Sequence, residues 1–277
     1  MGLRIGTNVQ SLVGQRALST QREAGNHELE KLSTGSRIVT AADDAAGLAI
    51  SEKFKAEIRS NRQAARNTQD AISLVQVAEG GLNEVSSMLI RMRELSVQSA
   101  SDTLSDTERQ FTDKETQALK GEISRISQNT VFNGNQLLSG VGNNLEFQVG
   151  THGDPERDRI MYDTASANST ASALGISEVN TATRESAQTN LEKLDSAISM
   201  VSGTRANFGA MQNRLQSTVS NLDVYNENIS GANSRIRDAD VAAESAELTK
   251  KSILTQAAVS TLAQANQAPG LALKLIG

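Results

Sequence analysis

The chain has 277 residues, no cysteine, 27 Lys and Arg against 32 Asp and Glu, and only 3% aromatic residues with no tryptophan. Without cysteine there are no disulfides, no thiol chemistry and no Cys-based metal site, and the redox compartment stays open. Neither sign of charge gathers into a tract that follows a phosphate backbone, and no window approaches the roughly 18 consecutive apolar residues of a membrane span, so nucleic acid and membrane insertion are both excluded as expectations.

The first expected element is a helix over residues 7–32, followed by a loop through Ser33-Thr34-Gly35-Ser36. A long helix follows at about residues 44–99. Its seam runs Val75, Ala78, Leu82, Val85, Leu89 and Met92, stepping three then four, which places one apolar stripe on one face. Asp43-Asp44, standing just before an apolar helical run, reads as N-terminal capping rather than as a metal or acid-base pair.

A shorter helix fits residues 105–129, opened by a Ser105-x-x-Glu108 capping box and carrying Leu119, Ile123 and Ile126 on one face. Asn133-Gly134 marks a turn. Residues 145–149 alternate apolar and polar like a half-buried strand, with Ile160-Met161-Tyr162 as its expected partner. The Ser/Thr/Ala-rich stretch over residues 164–172 reads as loop. Its Ser166, Ser169, Thr170 and Ser172 are candidate acceptors of O-linked sugars, a composition that ordinary loop explains equally well.

The longest seam comes next, through Leu191, Leu194, Ile198, Val201, Phe208, Leu215, Val219, Leu222, Ile229 and Ile236, on a helix expected over residues 185–236. A stripe of that length needs partner helices, and the seam of the earlier long helix supplies one. A last helix is expected over residues 240–267, stopping at Pro269-Gly270. The expected fold is mainly α: a long antiparallel helical rod or coiled coil with a small β-hairpin region at about residues 133–165.

Both ends carry amphipathic patterns: Leu3, Ile5, Val9 and Leu12 at the start, and Leu254, Ala258, Leu262, Leu271, Leu273 and Leu275 at the close. Contiguous apolar patches of this kind mark binding surfaces, and the reading is that the ends fold together and against other copies, ordering on assembly, with docking onto the chain's own rod as the alternative. Residues 1–21 are broken by Arg4, Thr7, Asn8, Gln10 and Arg16, so no cleavable signal peptide is expected. Catalysis has little to work with. His27-Glu28 lacks the second His of a zinc-protease helix because Lys31 stands there, so His27 reads as a solvated helix residue. His152 with Asp154 makes a poor triad, and there is no G-x-x-x-x-G-K loop. Neither an enzyme nor a cofactor is expected.

Specific strings add a family resemblance. Thr7-Asn8 with Ser11-Leu12, Arg37-Ile38, the run Asp43-Asp44-Ala45-Ala46-Gly47-Leu48-Ala49-Ile50, Arg93-Glu94-Leu95 with Val97-Gln98-Ser99, and Phe132-Asn133-Gly134 resemble, in order, the N-terminal region of bacterial flagellins. Gly209-Ala210-Met211-Gln212-Asn213-Arg214, Glu227-Asn228, Ser234-Arg235-Ile236 and Gln264-Ala265-Asn266-Gln267 resemble the C-terminal region. Gly6, Val39, Ala42 and Gly270 depart from the family pattern without touching a seam position. Residues 140–184 leave no room for variable outer domains.

The resemblance implies a structural subunit of the flagellar filament, with a hook-filament junction adaptor of the same superfamily as the alternative. It implies two terminal segments, residues 1–42 and 238–277, forming a coiled-coil filament core, and a rod domain over residues 43–237. It also implies export without a cleaved signal through the flagellar type III channel to an extracellular filament. The implied partners are other copies in a helical homopolymer, an export chaperone, the filament cap and the junction proteins. Arg91, Leu95 and Glu122 match positions at which similar flagellins contact an animal innate-immune receptor, although Ile90 stands where strongly stimulatory relatives carry Gln.

Overall fold

The computed structural model describes residues 7–141 and 144–274, excepting the side chains of residues 268, 269 and 271–274. Leu3, Ile5 and Leu275 lie outside the described residues, and Leu271 and Leu273 lie among those whose side chains are not described. Helices dominate: α1 (Val9–Thr34), α2 (Ala45–Ser99), α3 (Asp106–Asn129), the single turn α4 (Pro155–Asp158), α5 (Arg184–Arg237) and α6 (Val241–Lys274). The described strands are β1 (Val131–Phe132), β2 (Asn135–Gln136), β3 (Leu145–Gln148) and β4 (Arg159–Tyr162), in two separate antiparallel hairpins.

The chain divides into two compact units, one of residues 1–58 with 227–277 and one of residues 59–226. In the second unit, the middle of α2 and the first part of α5 run antiparallel. Arg93 pairs with Asp195 at 2.6 Å while Gln212 donates to Glu79 at 2.8 Å, so the later residue of α2 meets the earlier residue of α5. Along and just beyond these markers the two seams make a core. Val75, Leu82, Val85, Leu89, Leu194 and Leu215 are fully buried, with Val201 and Val219 nearly so, while Ile198 and Leu222 are half-buried.

α3 closes on this core through Ile123, with Leu119 and Ile126 partly buried against it. Its start is the capping box read from the sequence: the Glu108 amide bonds Ser105 Oγ, and the Ser105 amide donates to Glu108 Oε2 at 2.8 Å. The Ser105 amide first, with the Ser105 hydroxyl, holds the Glu108 carboxyl below its ordinary range. At the turn between β1 and β2, Asn133 (φ 48°) and Gly134 (φ 84°) are both left-handed, the two-residue loop geometry that an Asn-Gly pair favours. β3 pairs β4 with Leu145 opposite Tyr162 and Gln148 opposite Arg159.

α2 carries glycines at 80 and 81, and the second is needed for close approach. A Cβ on Gly81 would lie 2.8 Å from both Leu138 Cδ1 and Thr130 Oγ1, so the segment after α3 rests directly on the α2 backbone.

Two expectations need correction. Residues 164–181 hold no helix or strand, as expected for 164–172, yet they are not a solvated loop. Ala167, Ile176 and Val179 are fully buried, Ser169 is 2% exposed, and the Ser169 amide donates to the Leu138 carbonyl. The small side chains that read as loop composition are what lets this stretch press into the helical core. Ser169 is thereby closed to a sugar, its hydroxyl being engaged by the Ala167 carbonyl.

The second correction concerns the C-terminal helix, expected to stop before Pro269. α6 runs on through Pro269 and Gly270 to Lys274. Proline removes the amide that would bond the carbonyl four residues earlier, here that of Ala265. That carbonyl accepts instead from Asn8 Nδ2 at 2.8 Å. A tertiary donor stands in for the missing local one.

Candidate assembly surface

α1 and α6 form an antiparallel pair. Asn8 and Ser11 meet Ala265 and Asn266, a Cβ on Gly14 would touch Leu262, Gly25 faces Lys251, and Glu28 and Lys31 meet Glu244. Gly14 admits the Leu262 side chain, whose Cδ1 would stand 3.2 Å from an added Cβ. Capping starts α1 at Asn8, whose Oδ1 accepts from the Ser11 amide, and Gly35 in the left-handed region (φ 67°) ends it.

Beyond Gly35 the chain is tied to the end of α5. The Arg37 amide bonds the Arg237 carbonyl, the Ala239 amide bonds the Gly35 carbonyl, and Arg237 Nη1 reaches Glu52 at 2.6 Å. Of the Asp43-Asp44 pair, expected to cap the long helix, Asp44 alone does so, while Asp43 instead closes the turn that precedes it. Asp44 Oδ1 accepts from the Gly47 amide at the start of α2, and Asp43 Oδ2 accepts from the amides of Val39 and Thr40. The Thr40 amide first, with Val39 and His27, holds the Asp43 carboxyl below its usual range. His27 is therefore not a merely solvated residue, since its Nε2 stands 2.9 Å from Asp43 Oδ1.

The pair leaves most of its apolar side chains uncovered. Along α1 only Ser11 is buried, while Val9, Leu12, Val13 and Leu29 are each more than half exposed. On α6, Val241 and Ile253 are about 60% exposed, Leu254 is 40% exposed, and Ala258 and Leu262 are half-buried. Val9 and Val13 with Thr261, Gln264 and Ala265 line an open groove between the two helices. Two helices touching along one narrow line cannot cover stripes this wide, so the surface has the character of an interface without its partner.

One charged cluster sits inside the α1–α6 contact. Glu28 and Glu244 face each other, with Lys31 Nζ 3.2 Å from the first and 3.9 Å from the second. The hydrogen bond between the two carboxyls lowers Glu28 and raises Glu244, desolvation opposing the first shift and adding to the second. Lys31 lowers both, His27 favours the Glu28 charge and Glu247 disfavours that of Glu244. One proton shared between two carboxyls explains the opposed directions.

The raised Glu244 stabilises the pair below the ordinary glutamate value and loses that contribution as pH rises through its folded value. The lowered Glu28 contributes above the ordinary value and loses it in stronger acid. Replacing Glu244 by Gln supplies a permanent donor to Glu28. Amide hydrogens of residues 24–31 should then exchange several-fold more slowly than in the parent at pH 7, with the difference shrinking toward pH 5. Equal exchange at both pH values would show that no proton is shared.

The remaining singled-out residues lie in the other unit. Arg91 Nε is 2.8 Å from Glu115 and its Nη1 3.0 Å from Glu94, while Glu122 is engaged by Arg125 on its own helix. The structure thus brings Glu115, not Glu122, to Arg91, and Leu95 is 2% exposed. Sequence reading misses Glu115 because the register of α3 against α2 depends on the turn at residues 100–105. His152 is exposed, and Asp154 is occupied as the cap of α4. Among the described residues no cluster of three metal-ligating side chains occurs, and no helix is long and apolar enough to cross a membrane.

Comparison with known proteins agrees with this arrangement. Residues 5–143 match the bacterial flagellin N-terminal helical region and residues 191–276 the bacterial flagellin C-terminal helical region. Over 274 residues the chain is 42% identical to a flagellin of Halalkalibacterium halodurans, covering 98% of this chain and 99% of that one. It is 40% identical to a flagellin of Bacillus subtilis over 308 aligned positions, covering 99% and 100%. The crystal structure of Bacillus cereus flagellin superposes with a TM-score of 0.51 at 36% identity, covering 57% of this chain and 88% of that chain. With helical regions of the family at both ends and identity of 40% or more along nearly its whole length, the chain belongs to the bacterial flagellins.

Proposed function

We propose that this flagellin, a structural subunit of the bacterial flagellar filament, polymerises through the apolar faces that α1 and α6 leave open. The observation that carries the reading is the exposure of Val9, Leu12, Val13, Ile253 and Leu254 on a helix pair that is otherwise regular and capped. In a polymer these side chains are buried against neighbouring copies, with residues 1–42 and 238–277 as the filament core and residues 43–237 packed around it. Leu3, Ile5, Leu271, Leu273 and Leu275 add further apolar residues to the two ends in sequence. The chain leaves the cell by way of an export chaperone and the flagellar type III channel, and adds beneath the filament cap onto the junction proteins.

A junction adaptor is the weaker reading, because near full-length identity to flagellins favours the subunit that propagates growth over one that ends it. Contact with an animal immune receptor would use Arg91 and, on the face of α3, Glu122, with the buried Leu95 fixing the helix beneath them.

Purified chain, seeded with filament fragments or salted out, should form long helical tubes visible by electron microscopy. Removing a dozen residues from either end should stop elongation while residues 59–226 still unfold cooperatively. Absence of tubes under both treatments, or normal elongation by the trimmed chain, overturns the reading.

A further inference from the structure

Helix α6 passes through Pro269, a residue with no amide hydrogen to give to the preceding turn. The carbonyl this leaves without its helical donor is that of Ala265, and it is the one that Asn8 Nδ2 reaches at 2.8 Å. The other end of the same side chain is also in use. Asn8 Oδ1 accepts from the Ser11 amide at 3.0 Å and so starts α1.

Next to it, Ser11 Oγ donates to Asn266 Oδ1 at 2.8 Å, and Ser11 is the residue of α1 that is buried, at 8% exposure. Two consecutive residues of α6 are thereby held by the first turn of α1. The chemistry asks for asparagine. Asp, Ser and Thr cap a helix comparably, but a carboxylate has no hydrogen to donate and a hydroxyl has less reach, whereas a carboxamide accepts on one atom and donates from the other.

We propose that Asn8 is a clasp that supplies the hydrogen bond Pro269 cannot make, so that the helix beyond Pro269 forms only when the first turn of α1 is docked on it. The two ends of the chain then order together. Proline alone breaks a helix; proline with this distant donor makes the helix conditional on a partner segment 257 residues away. Any state in which α1 is detached returns the Ala265 carbonyl to water and frees residues 270–274 from the helix.

Three full-length variants test this: Asn8→Asp, Pro269→Ala and the two combined. Asp keeps the cap and removes the donor, while alanine in place of the proline restores the local amide. In seeded polymer, amide hydrogens of residues 270–274 should exchange about tenfold faster in Asn8→Asp than in the parent, the factor expected when a carbonyl loses its donor. In the Pro269→Ala background the same change should alter exchange by less than about twofold, because the restored backbone amide now bonds the Ala265 carbonyl. If Asn8→Asp fails to polymerise, regained polymer in the double variant carries the same meaning. Equal loss in both backgrounds would mean that Asn8 acts through general docking, and no loss in the parent background would mean that the carbonyl does not need it; either overturns the clasp. The parent polymer is the reference, so a general failure of assembly is distinguishable from a failure of the clasp.

Discussion

A single carboxylate placed on the open face of either terminal helix should abolish filament growth without unfolding the subunit. Leu12 is 55% exposed and Leu254 40% exposed in the isolated chain, so Leu12→Asp or Leu254→Asp removes little packing there and adds a hydrated charge. In a polymer the same position is covered, and burying an unpaired charge costs several kcal/mol, enough to raise the concentration needed for elongation about a hundredfold or more. The check is seeded elongation followed by light scattering, beside circular dichroism and urea unfolding of the soluble chain. Unchanged elongation by both variants would place the growth surface elsewhere, whereas a fall in helicity would mean that these side chains stabilise the subunit itself.

The two compact units differ in how they use their apolar stripes. In residues 59–226 the stripes of α2 and α5 are consumed: Val75, Leu82, Val85 and Leu89 are fully buried within one copy. In the terminal unit, the apolar side chains of α1 and α6 find only a line of contact. Ser11 is buried where Val9, Leu12 and Val13 are not, which inverts the usual placement of polar and apolar residues on a packed helix. A helix so arranged is specified by something outside its own chain.

How much of this is legible in the sequence follows from the range of each signal. Heptad spacing locates α2 and α5 because burial of a stripe repeats every three to four residues and is visible locally. The Ser105–Glu108 box and the Asn133-Gly134 turn are equally legible, each being a short-range exchange of hydrogen bonds or a demand for positive φ. Expectation and structure part where a distant residue overrides a local rule. Pro269 is a stop signal by every local criterion, and only Asn8 at the far end of the chain turns it into a helical position. The stretch 164–172 reads as loop by composition, yet its Ala and Ser side chains are small in order to fit under neighbours that the sequence does not name. Glu115 escapes notice at Arg91 for the same reason, since the pairing of α2 with α3 is set by tertiary register.

Replacing Tyr162 should give the largest loss of stability in residues 59–226, in two separable steps. Its side chain is fully buried, its ring is stacked on Phe208 with centroids 5.5 Å apart, and its Oη donates to the Leu137 carbonyl at 2.8 Å. Burial pushes the phenol far above its ordinary value, so it remains a donor at any working pH. Tyr162→Phe keeps the ring and strands the Leu137 carbonyl, at a cost of about 1–3 kcal/mol. Tyr162→Ala adds the cavity of a lost aromatic ring, about 3–5 kcal/mol more. Urea unfolding, measured on the Leu12→Asp background so that polymerisation does not intervene, should lower the midpoint in that order without changing the slope. Pairing Tyr162→Ala with Phe208→Leu should reveal about 0.5–1.5 kcal/mol of coupling for the stacked rings, and pairing Tyr162→Phe with it almost none, since that change keeps the ring. An unchanged midpoint for Tyr162→Phe would mean that water reaches the Leu137 carbonyl, in which case the ring alone, and not the hydroxyl, fastens β4 to α5 and to the segment that follows α3.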